Sequence, residues 1–350
     1  MLVTILTIFS VLLIVFTLIP LLRRDHWVIR AFDFPFVQLT ILTLGILLAW
    51  IFVPVFETFH LVLIGLLILV ILFRVWIVFP YFKFAPNKIP DAQGGLDSDC
   101  LKILSANVLM YNENYDGFLE IVLKKDPDIL LVVEADQVWL EGIEDVLKER
   151  YPFSVLNPIG NTYGMLLFSK LELKNSEVRF LVEEGVPSFK TIFELKNGTE
   201  IQFFGLHPKP PSPSENTTST PRDAELILVG REARARDMPV IVAGDMNDVA
   251  WSHTSRLFIR ISGLLDPRMG RGFFNTYHAK FPFLRWPLDH IFISHHFKIL
   301  KMELLDNFDS DHFPIYVELV FDPSGEARNN KEKPDQADRD EAADKLNQVR

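Results

Sequence analysis

Three long apolar runs dominate the N-terminal part of the chain. They extend from Leu2 to Leu22, from about Phe34 to Phe56, and from Leu61 to about Val78. Each is apolar around its whole helical circumference and long enough to cross a bilayer, so residues 1–83 are predicted to form an anchor of three transmembrane helices. The alternatives are a soluble bundle, whose helices would have polar faces, and a cleaved signal peptide, which would begin with basic residues.

Basic residues around these runs predict their orientation. The loop after the first run contains three arginines, the break before the third run contains no lysine or arginine, and Lys83 and Lys88 follow the third run. Because positive charge accumulates on the cytoplasmic side of membrane proteins, the first loop and the C-terminal part are predicted to be cytoplasmic. The margin is a few charges, which leaves the outward orientation open. Arg74, near the end of the third run, is predicted to reach the interface with its side chain.

The pattern changes after residue 83. Residues 84–99 are polar and contain Pro90 and two glycines, which indicates a linker. Residues 100–321 combine short β-branched runs with stretches of helical spacing and are predicted to form one globular domain. Apolar residues nearly vanish in residues 322–350, so this tail is predicted to be disordered, or at most a frayed helix.

Strand-like and helical patterns alternate at both ends of the globular domain. Helical spacing is clearest in Asp116–Lys125, Trp139–Leu147 and Arg222–Arg236, and strand-like runs precede each of these stretches. The middle of the domain, from Gly164 to Leu206, contains four short strand-like runs separated by turn residues. Residues 208–221 are rich in Pro, Ser and Thr and are predicted to form a mobile loop.

Eight polar residues stand at the ends of predicted strands or directly beside them. They are Asn107, Glu134, His207, Asp245, Asn247, Asp289, Asp311 and His312. Carboxylate and amide oxygens are hard ligands that suit Mg²⁺ or Mn²⁺, and histidines transfer protons or stabilise charge near neutral pH. If the strand ends converge on one edge of a sheet sandwich, the set suits metal-assisted hydrolysis of a phosphate ester. Taken singly, each residue can equally be a turn residue, a cap or a strand-end charge.

In their order along the chain, these residues resemble the endonuclease/exonuclease/phosphatase superfamily, which has the DNase I-like fold. The resemblance rests on Gly244-Asp245-Met246-Asn247 and Ser310-Asp311-His312, preceded by Asn107 and Glu134, and covers roughly Leu101 to Phe321. Together with the membrane helices, it is strongest to the bacterial membrane-anchored branch, which implies a multi-pass protein of the bacterial inner membrane. The implied fold is α/β, a four-layer α/β-sandwich preceded by three transmembrane α-helices.

The resemblance also divides the polar residues into two groups. The ligands of Mg²⁺ or Mn²⁺ would be Asn107, Glu134 and Asp311. The catalytic residues would be His207, Asp245, Asn247, Asp289 and His312. Asp245 would orient or deprotonate the attacking water, and Asn247 would bind a phosphate oxygen. His207 and His312 would act on the phosphate and the leaving oxygen, with Asp289 fixing the tautomer of His312.

Composition leaves several substrates open. The formal net charge is −10, whereas nucleic-acid binding depends on Lys and Arg. A basic and aromatic stretch, residues 268–286, could contact a phosphorylated lipid headgroup, although we favour a solvated loop there. The single cysteine, Cys100, excludes an intramolecular disulfide.

Three functions therefore remain open. The first is a nuclease-like phosphodiesterase, the second is a hydrolase of a lipid-linked phosphate or pyrophosphate, and the third is a silent membrane-tethered binding module. The expected partners are a phosphoester substrate, either nucleic acid or phospholipid, and the lipid bilayer. No obligate protein partner is inferred.

Overall fold

The N-terminal apolar runs are helical in the computed structural model, which describes residues 1–54, 57–95 and 99–349. The helices are α1 (Leu2–Leu18), α2 (Trp27–Arg30), α3 (Phe36–Trp50) and α4 (Thr58–Val78). Two helical segments, Leu2–Leu22 and Thr58–Tyr81, are long and apolar enough to cross a membrane. Trp27–Asp33 and Phe36–Trp50 form a third span only if this pair, bent by 67°, is one broken span. The predicted end of the second run, Phe56, lies outside the described residues.

The predicted position of Arg74 is wrong. Its side chain is fully buried among the N-terminal apolar helices instead of extending outward. The guanidinium donates hydrogen bonds to the Thr43 hydroxyl at 2.9 Å and to the Leu13 carbonyl at 3.2 Å, on α3 and α1 respectively. These oxygens satisfy the buried cation locally, so it joins the three helices into one bundle.

Two β-sheets form the centre of the following domain. The first has six strands in the order β10-β11-β1-β2-β4-β3, and the second has five in the order β5-β6-β7-β8-β9. In chain order the strands are β1 (Cys100–Asn107), β2 (Ile129–Val133), β3 (Phe153–Asn157), β4 (Met165–Ser169), β5 (Leu173–Arg179), β6 (Ser188–Glu194), β7 (Glu200–Leu206), β8 (Val240–Asp245), β9 (Asp289–Ile293), β10 (Phe297–Leu304) and β11 (Ile315–Phe321).

Helices cover the outer face of each sheet. They are α5 (Tyr115–Lys125), α6 (Gln137–Leu147), α7 (Thr220–Arg234) and α8 (His253–Ser262). One apolar core fills the space between the sheets, a second lies under α5 and α6, and a third lies under α7 and α8. The order helix, sheet, sheet, helix confirms the predicted four-layer α/β-sandwich.

The strand directions place several strand ends at one edge of the sandwich. Strands β1 and β2 run parallel, as do β7 and β8, so each pair ends at the same edge. Strands β9 and β11 run antiparallel to β8 and β1, so they begin where β8 and β1 end. Asp245 at the end of β8 is paired in register with Asp289 at the start of β9. This edge therefore gathers residues from distant parts of the chain.

The prediction of a disordered tail is wrong. Residues Gln336–Asn347 form helix α9, which begins with a capping box at Asp335 and Asp338. Ala342 and Leu346 are buried against α7 and α8. The helix packs although it has few apolar residues, because ion pairs hold it. For example, Arg260 on α8 makes a bidentate contact of 2.8 Å with Asp338.

The first loop of the anchor packs directly on the globular domain. The Thr217 carbonyl accepts a hydrogen bond from the Trp27 backbone, and Asp25 accepts one from the Thr220 hydroxyl at 2.7 Å. At the end of the third apolar run, the Tyr81 hydroxyl donates to the Ala250 carbonyl at 2.8 Å. The first loop and the C-terminal end of α4 consequently both pack against the domain.

Candidate active site

The Asn107 amide joins two carboxylates at the centre of the shared edge. Its Nδ2 donates to Glu134 Oε1 at 2.7 Å and to Asp245 Oδ2 at 3.1 Å. Its Oδ1 accepts a hydrogen bond from the Leu109 backbone at 3.0 Å, which sets the orientation of the amide. Asn107 therefore brings side chains from one strand end of each sheet into contact.

Glu134 follows the buried strand β2 and has a left-handed backbone with φ of 59°. This conformation is uncommon for a residue with a Cβ and turns the side chain back over the strand end. Burial raises the pKa of Glu134 to about 7, although the Asn107 hydrogen bond and the charge on His312 act in the opposite direction. The neighbouring carboxylates of Asp245 and Asp311 raise it further. A nearby cation would stabilise the charged form of a carboxylate that is buried among other carboxylates.

His207 faces the same two carboxylates from the end of β7. Its Nε2 lies 3.9 Å from Glu134 Oε1 and 4.0 Å from Asp245 Oδ2. The ring packs against Tyr163 with centroids 5.1 Å apart. Burial lowers the pKa of His207 to about 4, so this imidazole is neutral at physiological pH.

His312 is held by a buried carboxylate. Its Nδ1 lies 2.7 Å from Asp289 Oδ2, and its Nε2 lies 3.6 Å from Asp245 Oδ2. Burial alone would lower the pKa of His312, but Asp289 and Asp245 outweigh it and raise the pKa to about 10. His312 is therefore a cation at neutral pH, whereas His207 is not.

A sharp turn after β8 positions Asn247. Gly244 has φ of 135°, and a Cβ there would lie 1.9 Å from the Leu206 carbonyl oxygen, so only glycine fits. Asp245 Oδ1 then accepts the Asn247 backbone N–H at 2.9 Å, and the Asn247 amide donates to the Pro208 carbonyl at 3.0 Å. This contact ties the turn to the loop that follows His207.

Buried ion pairs also stabilise the turn that follows β8. Arg222 donates to the Asn247 carbonyl at 2.7 Å and lies 3.2 Å from Asp248. Arg268, assigned to a surface group from the sequence, is instead buried and forms a bidentate pair with Asp266. That sequence assignment is wrong for Arg268.

Asp311 lies beside the cluster with a buried Oδ1 that has no hydrogen-bond partner among the described residues. Its neighbour Ser310 donates to the Asn107 carbonyl at 2.8 Å, which fixes this loop against β1. Tyr277 also belongs to the site, because its ring lies 4.9 Å from that of His312. Tyr277 and Tyr163 were not predicted as site residues, because no motif marks either of them.

The donor set fits a divalent cation. Two groups each present three ligand atoms within 4.8 Å of one another. They are Glu134, His207 and Asp245, and Asp245, Asp289 and His312; in the second group a protonated His312 leaves the two carboxylates as the ligands. Oxygen donors are in the majority, and buried oxygens of Asp289 and Asp311 lack partners in the described part of the chain. This composition suits a hard cation such as Mg²⁺ or Mn²⁺.

Solved structures share this fold. Zebrafish (D. rerio) TDP2 complexed with a single-strand DNA product superposes with a TM-score of 0.54 at 17% identity, covering 63% of this chain and 98% of that one. The human Nocturnin catalytic domain with bound sulfate gives 0.51 at 18% identity, covering 65% and 96%. A Bacteroides thetaiotaomicron mannosyl-6-phosphatase gives 0.51 at 21% identity, covering 63% and 100%.

A family profile identifies the sequence itself. No curated protein matches the chain significantly. The profile described as "Endonuclease/Exonuclease/phosphatase family" matches residues 104–312, more than half of the chain. Its members are metal-dependent phosphoester hydrolases, which confirms the predicted enzyme class. The chain therefore belongs to the endonuclease/exonuclease/phosphatase family, with the DNase I-like fold.

Proposed function

We propose that the protein is a membrane-anchored, divalent-metal-dependent phosphoesterase that hydrolyses a phosphodiester by attack of an activated water. The observation that carries the proposal is that His207 and His312 both lie within 4.0 Å of the Asp245 carboxylate, with Glu134 3.9 Å from His207. A water held there would contact a carboxylate base, a neutral imidazole and a cationic imidazole. These are the groups that proton transfer and charge stabilisation at a phosphate require.

Glu134 and Asp311, with Asn107 beside them, would hold Mg²⁺ or Mn²⁺, and the bound cation would polarise a phosphate oxygen. The raised pKa of Glu134, caused by burial among other carboxylates, suits this role because a cation would stabilise its charged form. The Asn107 amide would keep the carboxylates of Glu134 and Asp245 at a fixed separation.

Asp245 would accept the proton of the attacking water. His312, kept charged by Asp289, would stabilise negative charge on the phosphate, and Asp289 would fix its tautomer through the 2.7 Å contact. Neutral His207 would donate a hydrogen bond to the phosphate or to the leaving oxygen. Asn247 would bind a phosphate oxygen, placed by the turn after Gly244.

The test uses the full-length protein in detergent with bis-p-nitrophenyl phosphate. We expect hydrolysis with Mg²⁺ or Mn²⁺, loss of hydrolysis with EDTA, and a fall of at least about 10³-fold in kcat for Asp245→Asn, the size reported for loss of a principal catalytic group. Asp145→Asn, an exposed carboxylate on α6, is the control and should retain full activity. Undiminished hydrolysis by Asp245→Asn would refute the site, and binding of a ligand without hydrolysis would favour the silent module.

Two substrate classes follow from this chemistry. A nuclease-like enzyme would degrade DNA or RNA and lose activity steeply as salt is added. A lipid phosphoesterase would act on bilayer substrate. The second class gains support from one contact, because the loop that carries Tyr277 also touches membrane helix α3 through the Gln38 side chain and the Phe283 carbonyl, 3.2 Å apart.

A further inference from the structure

A groove opens between membrane helix α3 and the loop of residues 273–286. Its volume is about 590 Å³. The α3 wall is formed by Val37, Ile41 and Leu42, and the domain wall by Trp251, Phe273 and Phe283. Ile41 and Leu42 face outward from the helix bundle, with 65% and 58% of their surface exposed. One wall of the groove therefore belongs to the apolar helix surface that lies at the bilayer.

The tip of the loop is also apolar. Phe283 is 86% exposed and Phe281 is 56% exposed, and Leu284 lies beside them half-exposed. Exposed aromatic and aliphatic side chains next to a membrane helix are best accommodated in the interfacial region of the bilayer. The loop tip and the α3 wall thus form one apolar surface that extends from the bilayer to the domain.

One residue that lines the groove contacts the neighbour of a site residue. Arg285 lines the groove, and its guanidinium lies 4.9 Å from the ring centroid of Phe313, the residue after His312. The next residue, Trp286, pairs through its backbone with Tyr277, whose ring contacts His312. Arg285 and Trp286 therefore place this end of the groove next to the segments that carry His312 and Tyr277.

Arg285 supplies a cation where the groove meets the site. It donates to the Ala279 carbonyl at 2.9 Å, but no carboxylate of the described residues pairs with it. Its Nε is buried without a hydrogen-bond partner in the same described residues. An unpaired guanidinium at this position complements a phosphate, which Arg binds through paired N–H groups.

We propose that this groove binds the lipid portion of a membrane phospholipid whose phosphoester enters the active site. The proposal rests on the proposed phosphoesterase function and names its substrate class. Arg285 contacts the phosphate while the acyl chains remain against α3 and Phe283. Water attacks phosphorus, the phosphorus–oxygen bond to the leaving alcohol breaks, and the proton from water passes to that oxygen.

A nucleic acid fits this groove poorly. Its backbone requires several cations along its path, and here Arg285 stands among apolar walls in a chain with net charge −10. Acyl chains, in contrast, are stabilised by burial against each apolar wall of the groove.

The experiment compares two substrates with the same headgroup. Full-length protein is reconstituted in phosphatidylcholine vesicles with Mn²⁺, and kcat/KM is measured for long-chain phosphatidylglycerol and for its water-soluble dibutyryl analogue. Phe283→Ala removes an aromatic contact and Leu42→Trp fills the groove, so each should lower the ratio of long-chain to short-chain kcat/KM about tenfold. Phe180→Ala removes a half-exposed phenylalanine beside β5, at the opposite edge of the sheet, and should leave the ratio unchanged.

The outcomes separate the two proposals. Equal losses on both substrates in Phe283→Ala and Leu42→Trp, or hydrolysis of bis-p-nitrophenyl phosphate and single-stranded DNA but not of the vesicle lipid, would overturn the groove proposal and leave the phosphoesterase intact. Failure of the wild-type protein to hydrolyse any of these phosphoesters with Mg²⁺ or Mn²⁺ would overturn the proposed function itself.

Discussion

At the residue scale, the contact between Asp289 and His312 decides the charge state of the site. Asp289 lies beside Asp245 and holds the His312 ring, whose Nδ1 lies 2.7 Å from the Asp289 carboxylate. We predict that Asp289→Asn lowers kcat about 10²-fold, because the pKa of His312 loses its main source of elevation. KM should change little, and circular dichroism should show a folded protein. Full activity of Asp289→Asn would show that the charge on His312 has no part in the reaction.

A second residue-scale prediction concerns Glu225, which is buried in α7 away from the site. Burial and the nearby Glu183 raise the pKa of Glu225 to about 8, and Arg179 only partly opposes this. The folded state therefore holds the proton more tightly than the unfolded state. The associated stability is complete below the usual pKa of a glutamate and is lost as the pH rises through about 8.

Glu225→Gln should remove this pH dependence. The thermal midpoint of the detergent-solubilised variant should match the wild type near pH 5 and exceed it increasingly toward pH 9, in the range where wild-type Glu225 ionises. Glu232→Gln is the matched control on the same helix. Arg179 and Lys190 hold the pKa of Glu232 at about 2, so its substitution should destabilise the protein at neutral pH. If the thermal midpoints of the wild type and Glu225→Gln changed in parallel with pH, the raised pKa of Glu225 would be contradicted.

At the element scale, the close approach of β7 and β8 fixes the turn that carries Asp245. Gly244→Ala would place a Cβ 1.9 Å from the Leu206 carbonyl and would also strain a backbone with φ of 135°. We predict a cost of about 3 kcal/mol and a fall of about 10 °C in the thermal midpoint, with activity lost. Gly160→Ala is the control, because nothing lies within 4 Å of its Cβ position. Equal midpoints for the two variants would contradict this account.

The strands that build the site were predictable because they are central. β2 and β8 are buried on both faces, so their sequences are continuous apolar runs that end abruptly in polar residues. Strands β3 and β10, which the sequence analysis missed, lie at the two edges of the six-stranded sheet. Their residues are mostly partly exposed or exposed, and a mixed pattern of this kind does not separate a strand from a loop.

Helix α9 was not predicted, for a different reason. Its packing depends on charges, since Lys345 lies 2.7 Å from Asp223 on α7 and also pairs with Asp25 of the first loop. Hydrophobic periodicity cannot report such contacts, because the partners come from distant parts of the chain. The same limit applies to Tyr277, whose contact with His312 depends on how two loops fold together.

At the scale of the whole molecule, the contact between the first loop and the domain is separate from the question of which compartment the domain faces. The domain and the first loop are in direct contact, because the Trp251 indole donates to the Asp33 carbonyl at 2.8 Å. Phe52 lies before α4 and the domain lies after it, so a membrane crossed by Thr58–Tyr81 would separate them. The distribution of lysine and arginine predicts which compartment holds the domain.

Cysteine labelling tests both points. In a Cys100→Ser background, single variants His26→Cys, Phe52→Cys and Ser214→Cys are exposed to a membrane-impermeant maleimide in intact cells and after permeabilisation. We predict that Phe52→Cys reacts in intact cells, whereas His26→Cys and Ser214→Cys react only after permeabilisation. Reaction of Phe52→Cys and Ser214→Cys from the same side would refute the spanning arrangement of α4. The reverse pattern would keep that arrangement and place the domain, with its active site and the groove against α3, on the outer face of the membrane.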